Sequence, residues 1–196
     1  QGTDRIMYDG PIIDTHHHLW EVRHYPWLTA PPSPKIFGTE YELLRHDYLI
    51  DDLLADFGAN NVVKSVHLQA HYDPPDHVGE TRWLQGVADR HGYPHAIVGH
   101  ADMAGADIAA VLDAHGEFAN FRGIRDVVTH NPEKAAWQAV DRPDYCLSAD
   151  FRRGLDVLAA RGLHFELQGF ANQFGHFAEL VAGHPGLRFF LVHAGL

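Results

Sequence analysis

What most narrows the fold of this chain is a recurring unit. An amphipathic stretch closes at a glycine, and a short apolar run begins within a few residues. Ala88-Asp89-Arg90-His91-Gly92 stands before the run from Pro94 to Gly99, and Leu158-Ala159-Ala160-Arg161-Gly162 stands before Leu163 to Gln168. Glycine adopts the left-handed conformation that closes a helix, so the amphipathic stretches read as helices and the apolar runs as buried strands. Applied along the chain, the rule predicts strands near 12–15, 62–68, 96–100, 121–127, 163–168 and 188–193. Between them it predicts helices, marked by Leu49/Leu53/Leu54/Phe57, Trp83/Leu84/Val87/Ala88, Ile108/Val111/Leu112, Leu155/Leu158/Ala159 and Phe177/Leu180/Val181. The strand runs are continuously apolar, the pattern of a parallel sheet covered on both faces, so the expected class is α/β.

Two connections are longer than ordinary loops: Glu21 to Asp47, which contains Ala30-Pro31-Pro32-Ser33-Pro34, and Thr129 to Ala149. They are expected to be active-site loops or lids. Charge and cysteine usage exclude several functions. With 26 acidic against 15 basic residues the net charge is −11, and no Lys/Arg run offers a face to nucleic acid. No apolar run is long enough to span a membrane. Cys146 is the one cysteine of the sequence, so neither an intramolecular disulfide nor a thiolate zinc site is available, and a reducing, cytoplasmic compartment is expected. No GxGxxG follows the first strand and no GxSxG occurs, which argues against a dinucleotide-binding dehydrogenase and a serine acyl transferase. Partners are therefore narrowed to a small-molecule substrate, with self-association left open.

Seventeen histidines are the compositional excess to explain. In parallel α/β folds reactive groups collect at the carboxyl ends of strands. Here those ends carry Asp14-Thr15-His16-His17-His18, His67-Leu68-Gln69-Ala70-His71, His100-Ala101-Asp102, Arg122-Gly123-Ile124-Arg125, Glu166-Leu167-Gln168 and His193-Ala194-Gly195. Alternate residues of an extended chain share a face, so His16 and His18 can aim two imidazoles at one divalent cation or substrate oxygen, while His17 points away and reads as structural. The competing reading is a turn that is merely rich in histidine. His91, His115 and His184 fall at helix C-termini, where an imidazolium favours the negative end of the dipole.

The stretch Ile13-Asp14-Thr15-His16-His17-His18-Leu19-Trp20, followed by Tyr25-Pro26-Trp27-Leu28, resembles the opening of the amidohydrolase-related hydrolases, in the branch containing sugar lactonases and pyrone-dicarboxylate lactonase. Further matches follow in order: Tyr48-Leu49-Ile50-Asp51-Asp52-Leu53, Glu80-Thr81-Arg82-Trp83-Leu84, Arg122-Gly123-Ile124-Arg125, Gly162 to Gln168, and Val192-His193-Ala194-Gly195-Leu196. The resemblance implies a (β/α)8 TIM barrel. It implies that His16, His18 and His193 are catalytic, with His16 and His18 holding a divalent metal, zinc first, in metal-dependent members. His193 would lie beside the substrate carbonyl, and Arg125 would face a substrate carboxylate or hydroxyls. The alternatives are a buried His193 bonded to a backbone carbonyl and an Arg125 paired with Asp126 or Asp102.

Metal-dependent members usually carry a His at the end of the fifth strand. Here the fifth strand offers Glu166 and Gln168, with His164 too early to reach the rim, which favours the lactonase branch and leaves a metal-independent mechanism open. Glu166, Gln69 and His71 are candidate substrate contacts, and Trp20, Tyr25 and Trp27 read as packing aromatics.

The implied activity is opening of a sugar or dicarboxylate lactone by an activated water. The rivals are a metal-dependent decarboxylase or amidase of the same superfamily and a non-catalytic, His-rich metal-binding fragment. Six strands are counted and the chain begins at Gln1 and ends three residues after His193, whereas an eight-stranded barrel takes about 250 residues. The expectation is a barrel domain over 1–196 truncated after its sixth strand, with open edges, impaired catalysis and its general-base carboxylate elsewhere.

Overall fold

The computed structural model describes residues 8–31, 38–73 and 76–196. Six strands form one sheet: β1 (Ile12–His17), β2 (Val62–Leu68), β3 (Ala96–Gly99), β4 (Phe121–Val127), β5 (His164–Gln168) and β6 (Arg188–Leu191). Their order in the sheet is their order in the chain, and every neighbouring pair is parallel. Such a sheet needs a crossover between each pair of strands. Helices α2 (Ile50–Phe57), α3 (Gly79–His91), α4 (Ile108–Gly116), α5 (Ala149–Ala160) and α6 (Phe174–Gly183) supply them, after a short α1 (Pro26–Thr29) in the first long connection. This is the α/β arrangement of the first six strands of a TIM barrel, curled into part of a cylinder.

Local chemistry sets the helix ends. Gly92 (φ 79°) and Gly162 (φ 68°) take the left-handed conformation just beyond α3 and α5. The Ser148 hydroxyl caps α5 by accepting the Phe151 N–H at 3.4 Å.

Alternation along the strands sorts the side chains. On the outer face, Ile124, Phe165 and Leu167 pack against Leu112, Leu155, Leu158, Phe177 and Leu180 of α4, α5 and α6. Nearer β1, Ile97 meets Ile50, Leu53, Leu84 and Val87. Residues between these on the strands are forced to the inner face, where Leu68 and Val98 form a small apolar floor with Val192, which follows β6.

Two expectations need correction. The sixth strand stops at Leu191, and His193 lies two residues further on in a 3-10 turn over Val192–Ala194. Its own backbone is left-handed (φ 56°), which breaks the extended run. Nor is the sheet covered on both faces throughout: Ile13 on β1 and Phe190 and Leu191 on β6 are each about half exposed, because these outermost strands lack described neighbours on one side.

Both long connections fold back onto the rim. Trp20 and Tyr48 form an antiparallel bridge across the first, and Trp27 Nε1 donates to the Ala70 carbonyl at 2.7 Å. Pro32, Ser33 and Pro34 of its proline-rich stretch lie outside the described residues. The second carries 3-10 turns at Pro132–Trp137 and Tyr145–Leu147. Among the described residues no helix is long and apolar enough to cross a membrane.

Helix α5 approaches the rim closely: a Cβ at Gly154 would lie 2.0 Å from the Met103 carbonyl oxygen, whereas one at Gly86 in α3 would meet nothing nearer than 3.5 Å. Gly154→Ala is expected to lose about 1–3 kcal/mol of stability by overpacking. Gly86→Ala is expected to gain roughly 0.5–1 kcal/mol from helix propensity. Paired urea melts measure the contrast.

Candidate active site

Five side chains converge at the carboxyl ends of β1, β4, β5 and β6. His16 and His18 leave β1 with their Nε2 atoms 3.3 Å apart. The His16 ring centroid lies 4.7 Å from that of His193. On the adjoining strands Arg125 and Glu166 are register partners, and because Ile124, Phe165 and Leu167 face the helices, both charged side chains face inward.

Hydrogen bonds fix the protonation pattern. His18 Nδ1 lies 2.7 Å from the Leu68 carbonyl, which can only accept, so Nδ1 carries the proton. Burial pulls His18 down to about 3 and His16 to about 4, with the Arg125 charge adding to the effect in both. Both rings are thus neutral near pH 7, and His18 Nε2 is left as an acceptor, 3.3 Å from His16 Nε2.

Arg125 is buried and donates to the Gln69 carbonyl, while its Nε has no partner. Burial lowers its pKa to about 10, opposed by Glu166 and Glu80, so it stays charged. Glu166 Oε1 is 3.3 Å from His164 Nε2 and its Oε2 is buried without a partner. Side by side on the inner face, the site therefore holds an unused donor and an unused acceptor.

The amidohydrolase family model matches residues 13–196, nearly the whole chain. The chain belongs to the amidohydrolase family. It is 43% identical over 97% of its length to protein y4mH of Sinorhizobium fredii, covering 64% of that protein. It is 24% identical over 93% of its length to L-fucono-1,5-lactonase of Burkholderia ambifaria, covering 56% of it. A crystal structure of an amidohydrolase from Burkholderia multivorans with bound zinc aligns with 90% of this chain and 55% of its own, at TM-score 0.67 and 24% identity. The chain thus spans between about half and two thirds of the length of these relatives.

The other sequence-predicted positions of this amidohydrolase fall into place around the centre. Gln69 Oε1 accepts the His71 N–H at 2.7 Å, and its Nε2 lies 3.4 Å from the Arg125 carbonyl, so it links the β2 and β4 ends. His71 has a left-handed backbone (φ 60°), and its ring centroid is 5.8 Å from that of His100. His17 turns away and meets Ser65 Oγ at 3.0 Å. Arg125 pairs with neither aspartate: Asp126 Oδ2 accepts the Met103 N–H and Asp102 Oδ1 the Ala104 N–H. His193 is exposed, not buried. Among the described residues no three His, Cys, Asp or Glu side chains come together as a metal-ligand group.

His115 departs from its expected role. It is fully buried, with Nδ1 2.9 Å from the Thr81 hydroxyl and Nε2 3.0 Å from the His100 carbonyl, and burial holds it near 4. It is a neutral bridge from α4 to the β3 end rather than an imidazolium at a helix terminus. His184 follows expectation, with Nδ1 2.7 Å from the Leu180 carbonyl at the end of α6.

Sequence reasoning missed Glu80 as a site-shaping group. This buried carboxylate, in the first turn of α3, accepts the Tyr25 hydroxyl at 2.7 Å and the Ala70 N–H at 3.0 Å on one oxygen. It ties the first long connection to the β2 end beside Arg125. A buried Tyr and a buried Glu 55 residues apart leave no local pattern to read.

Burial sets opposite pH slopes. His16, His17, His18, His71, His100 and His115 are depressed from 6.5 to about 3–4, so the unfolded chain binds more protons and stability is lost as pH falls from 6.5 toward 4. Glu80 is raised by burial to about 7, so the folded chain binds more protons and stability is lost as pH rises from 4.5 through 7. Glu80→Gln, which retains an acceptor for Tyr25, is expected to match the parent at pH 4.5 and exceed it at pH 8 by on the order of 3 kcal/mol. Urea titrations from pH 4 to 8 measure both slopes.

Proposed function

We propose that the protein opens a lactone ring by adding water to the lactone carbonyl, with the inner face described above as its substrate-binding half. The observation that carries this reading is the convergence of His16, His18 and His193 with the unused Arg125 donor and Glu166 acceptor on one face. Such an array of neutral imidazoles beside a fixed cation and a carboxylate suits an ester carbonyl and its ring hydroxyls. The likeness to L-fucono-1,5-lactonase supports the same class.

The histidine pair fits part of a zinc ligand set. Zn–N bonds of about 2.0–2.1 Å at a tetrahedral angle separate two nitrogens by about 3.4 Å, and the His16 and His18 Nε2 atoms are 3.3 Å apart. The Leu68 carbonyl, by holding the His18 Nδ1 proton, plays the orienting part that a ligating histidine requires. Bound there, a divalent cation would polarise the carbonyl and acidify a water; the zinc-bound relative from Burkholderia multivorans supports this reading. Two ligands do not complete a site, and the remaining donors are assigned to none of the described residues.

The chain's own groups have defined tasks. Arg125 neutralises a carboxylate or donates to a hydroxyl through Nε, and Glu166 Oε2 accepts from a neighbouring hydroxyl. His193 hydrogen-bonds the carbonyl or the departing ring oxygen. In the overall reaction the water oxygen bonds to the carbonyl carbon and the ring C–O bond breaks. One water proton goes to the freed alkoxide and the other to solvent.

Hydrolysis of a lactone panel by the full-length protein, before and after chelation, tests the proposal. The His16→Ala/His18→Ala/His193→Ala variant is expected to lose at least about 100-fold in kcat/KM, the scale of removing groups that stabilise a developing oxyanion. Unchanged turnover would remove these three histidines from the chemistry, and absence of turnover by the parent would favour the non-catalytic reading. Loss of activity with chelator and recovery with Zn²⁺ are expected; release of CO2 or an amine instead of lactone opening would favour the decarboxylase or amidase reading.

A further inference from the structure

We infer that His164 is a positioning residue: it anchors one oxygen of Glu166 and so aims the other at the ligand of the histidine centre, and Gly123 lacks a side chain so that the His164 ring can be admitted. The inference rests on the task assigned to Glu166 in the proposed function.

His164 and Glu166 are the first and third residues of β5, so alternation puts both on the inner face, the imidazole beneath the carboxylate. His164 Nε2 lies 3.3 Å from Glu166 Oε1, and the two side chains are only 13% and 8% exposed. A carboxylate can only accept, so in this contact His164 Nε2 carries the proton. The last torsion of a glutamate is broad, so a carboxylate with no partner turns easily about its own axis. One hydrogen bond to Oε1 fixes the plane of the group. It thereby fixes the direction of Oε2, the buried oxygen that has no partner.

The imidazole is itself held by the strands on either side. On β4 its register partner is Gly123. A Cβ there would lie 2.6 Å from Cδ2, Nε2 and the carbonyl oxygen of His164, so only glycine leaves the ring where it is. On β6 the Phe190 ring meets the imidazole edge-on, with centroids 5.0 Å apart and planes at 76°. Phe190 is also the register partner of Glu166. The run Gly123-Ile124-Arg125 thus serves the centre twice: Gly123 makes room for the ring that orients Glu166, and Arg125 presents its unpartnered Nε two residues on.

Packing alone does not call for an imidazole at this point. A phenyl ring would fill the slot between a glycine and an aromatic edge without the cost of burying a polar group. Stability does not call for it either, because apolar residues often replace a buried ion pair without loss. What an apolar ring cannot do is donate to Oε1.

The test measures kcat and KM of the full-length protein on the lactone of the panel that it opens best. His164→Phe is expected to lower kcat/KM about tenfold, the worth of one hydrogen bond to a charged group, while urea melts show the fold retained. His164→Gln, whose amide can donate, is expected to recover most of that loss. In a Glu166→Ala background His164→Phe is expected to change nothing further, because no carboxylate remains to be aimed. Undiminished kcat/KM in His164→Phe, or an equal loss in the Glu166→Ala background, overturns the inference and leaves the lactonase reading intact. Long-range proton–nitrogen spectra of the histidine-labelled protein give a readout independent of turnover. His164 is expected to carry its proton on Nε2, with signals that move in Glu166→Ala. A proton on Nδ1 alone, or signals insensitive to Glu166, overturns the inference. Where no lactone is opened or His164→Phe does not fold, these spectra decide. The expected signature without turnover upholds the anchored carboxylate and removes the lactonase reading.

Discussion

The two-residue alternation of the parallel strands is the constraint on which the rest of the molecule depends. Phe165 and Leu167 must reach the helices to close the outer core, so Glu166 is delivered inward. The register that sets Ile124 beside Phe165 also sets Arg125 beside Glu166. A slip of one residue would bury the two charges against α5 and α6 and turn the phenylalanine and leucine toward the inner face. Core and site are therefore specified by the same hydrogen-bonded ladder.

Burial then decides how the histidine-rich rim behaves. A chain with 17 histidines invites a reading as a cluster of cations, yet His16, His18, His71 and His100 are all pushed well below neutrality by desolvation. The Arg125 charge adds to the effect in each of them, so one fixed cation helps to keep its neighbours uncharged. Neutral imidazoles can accept hydrogen bonds or offer lone pairs, while imidazoliums can only donate. The carboxylates Glu80 and Glu166 in turn oppose the loss of charge on Arg125 itself.

The fold was legible in the sequence wherever a local pattern expressed it. Gly92 and Gly162 marked helix ends, and the apolar runs at 62–68 and 121–127 became strands with those bounds. His16 and His18 were legible because alternation is local. Contacts across long separations were not. Tyr25 with Glu80 joins a loop to a helix start, His115 with Thr81 joins two helices, and Gln173 reaches back 45 residues to Val128. Each of these is a polar residue satisfied inside the fold, and composition alone makes it look either exposed or catalytic. His193 was legible in identity but not in conformation, since nothing in Val192-His193-Ala194 announces two successive left-handed residues.

The arrangement of Arg125 and Glu166 is hard to explain by stability. Buried charges that leave atoms without partners cost free energy, and apolar residues of similar volume at such positions are often as stable or more so. The neighbouring backbone adds cost in the same direction, because His71, His193 and Ala194 sit at positive φ without being glycine. These costs gather at the carboxyl ends of the strands, while the outer face is packed with well-buried Leu, Ile and Phe. On the proposed function, a core stable enough to hold this unpartnered donor and acceptor in register would offer a ligand hydrogen bonds whose ordering cost folding has already met.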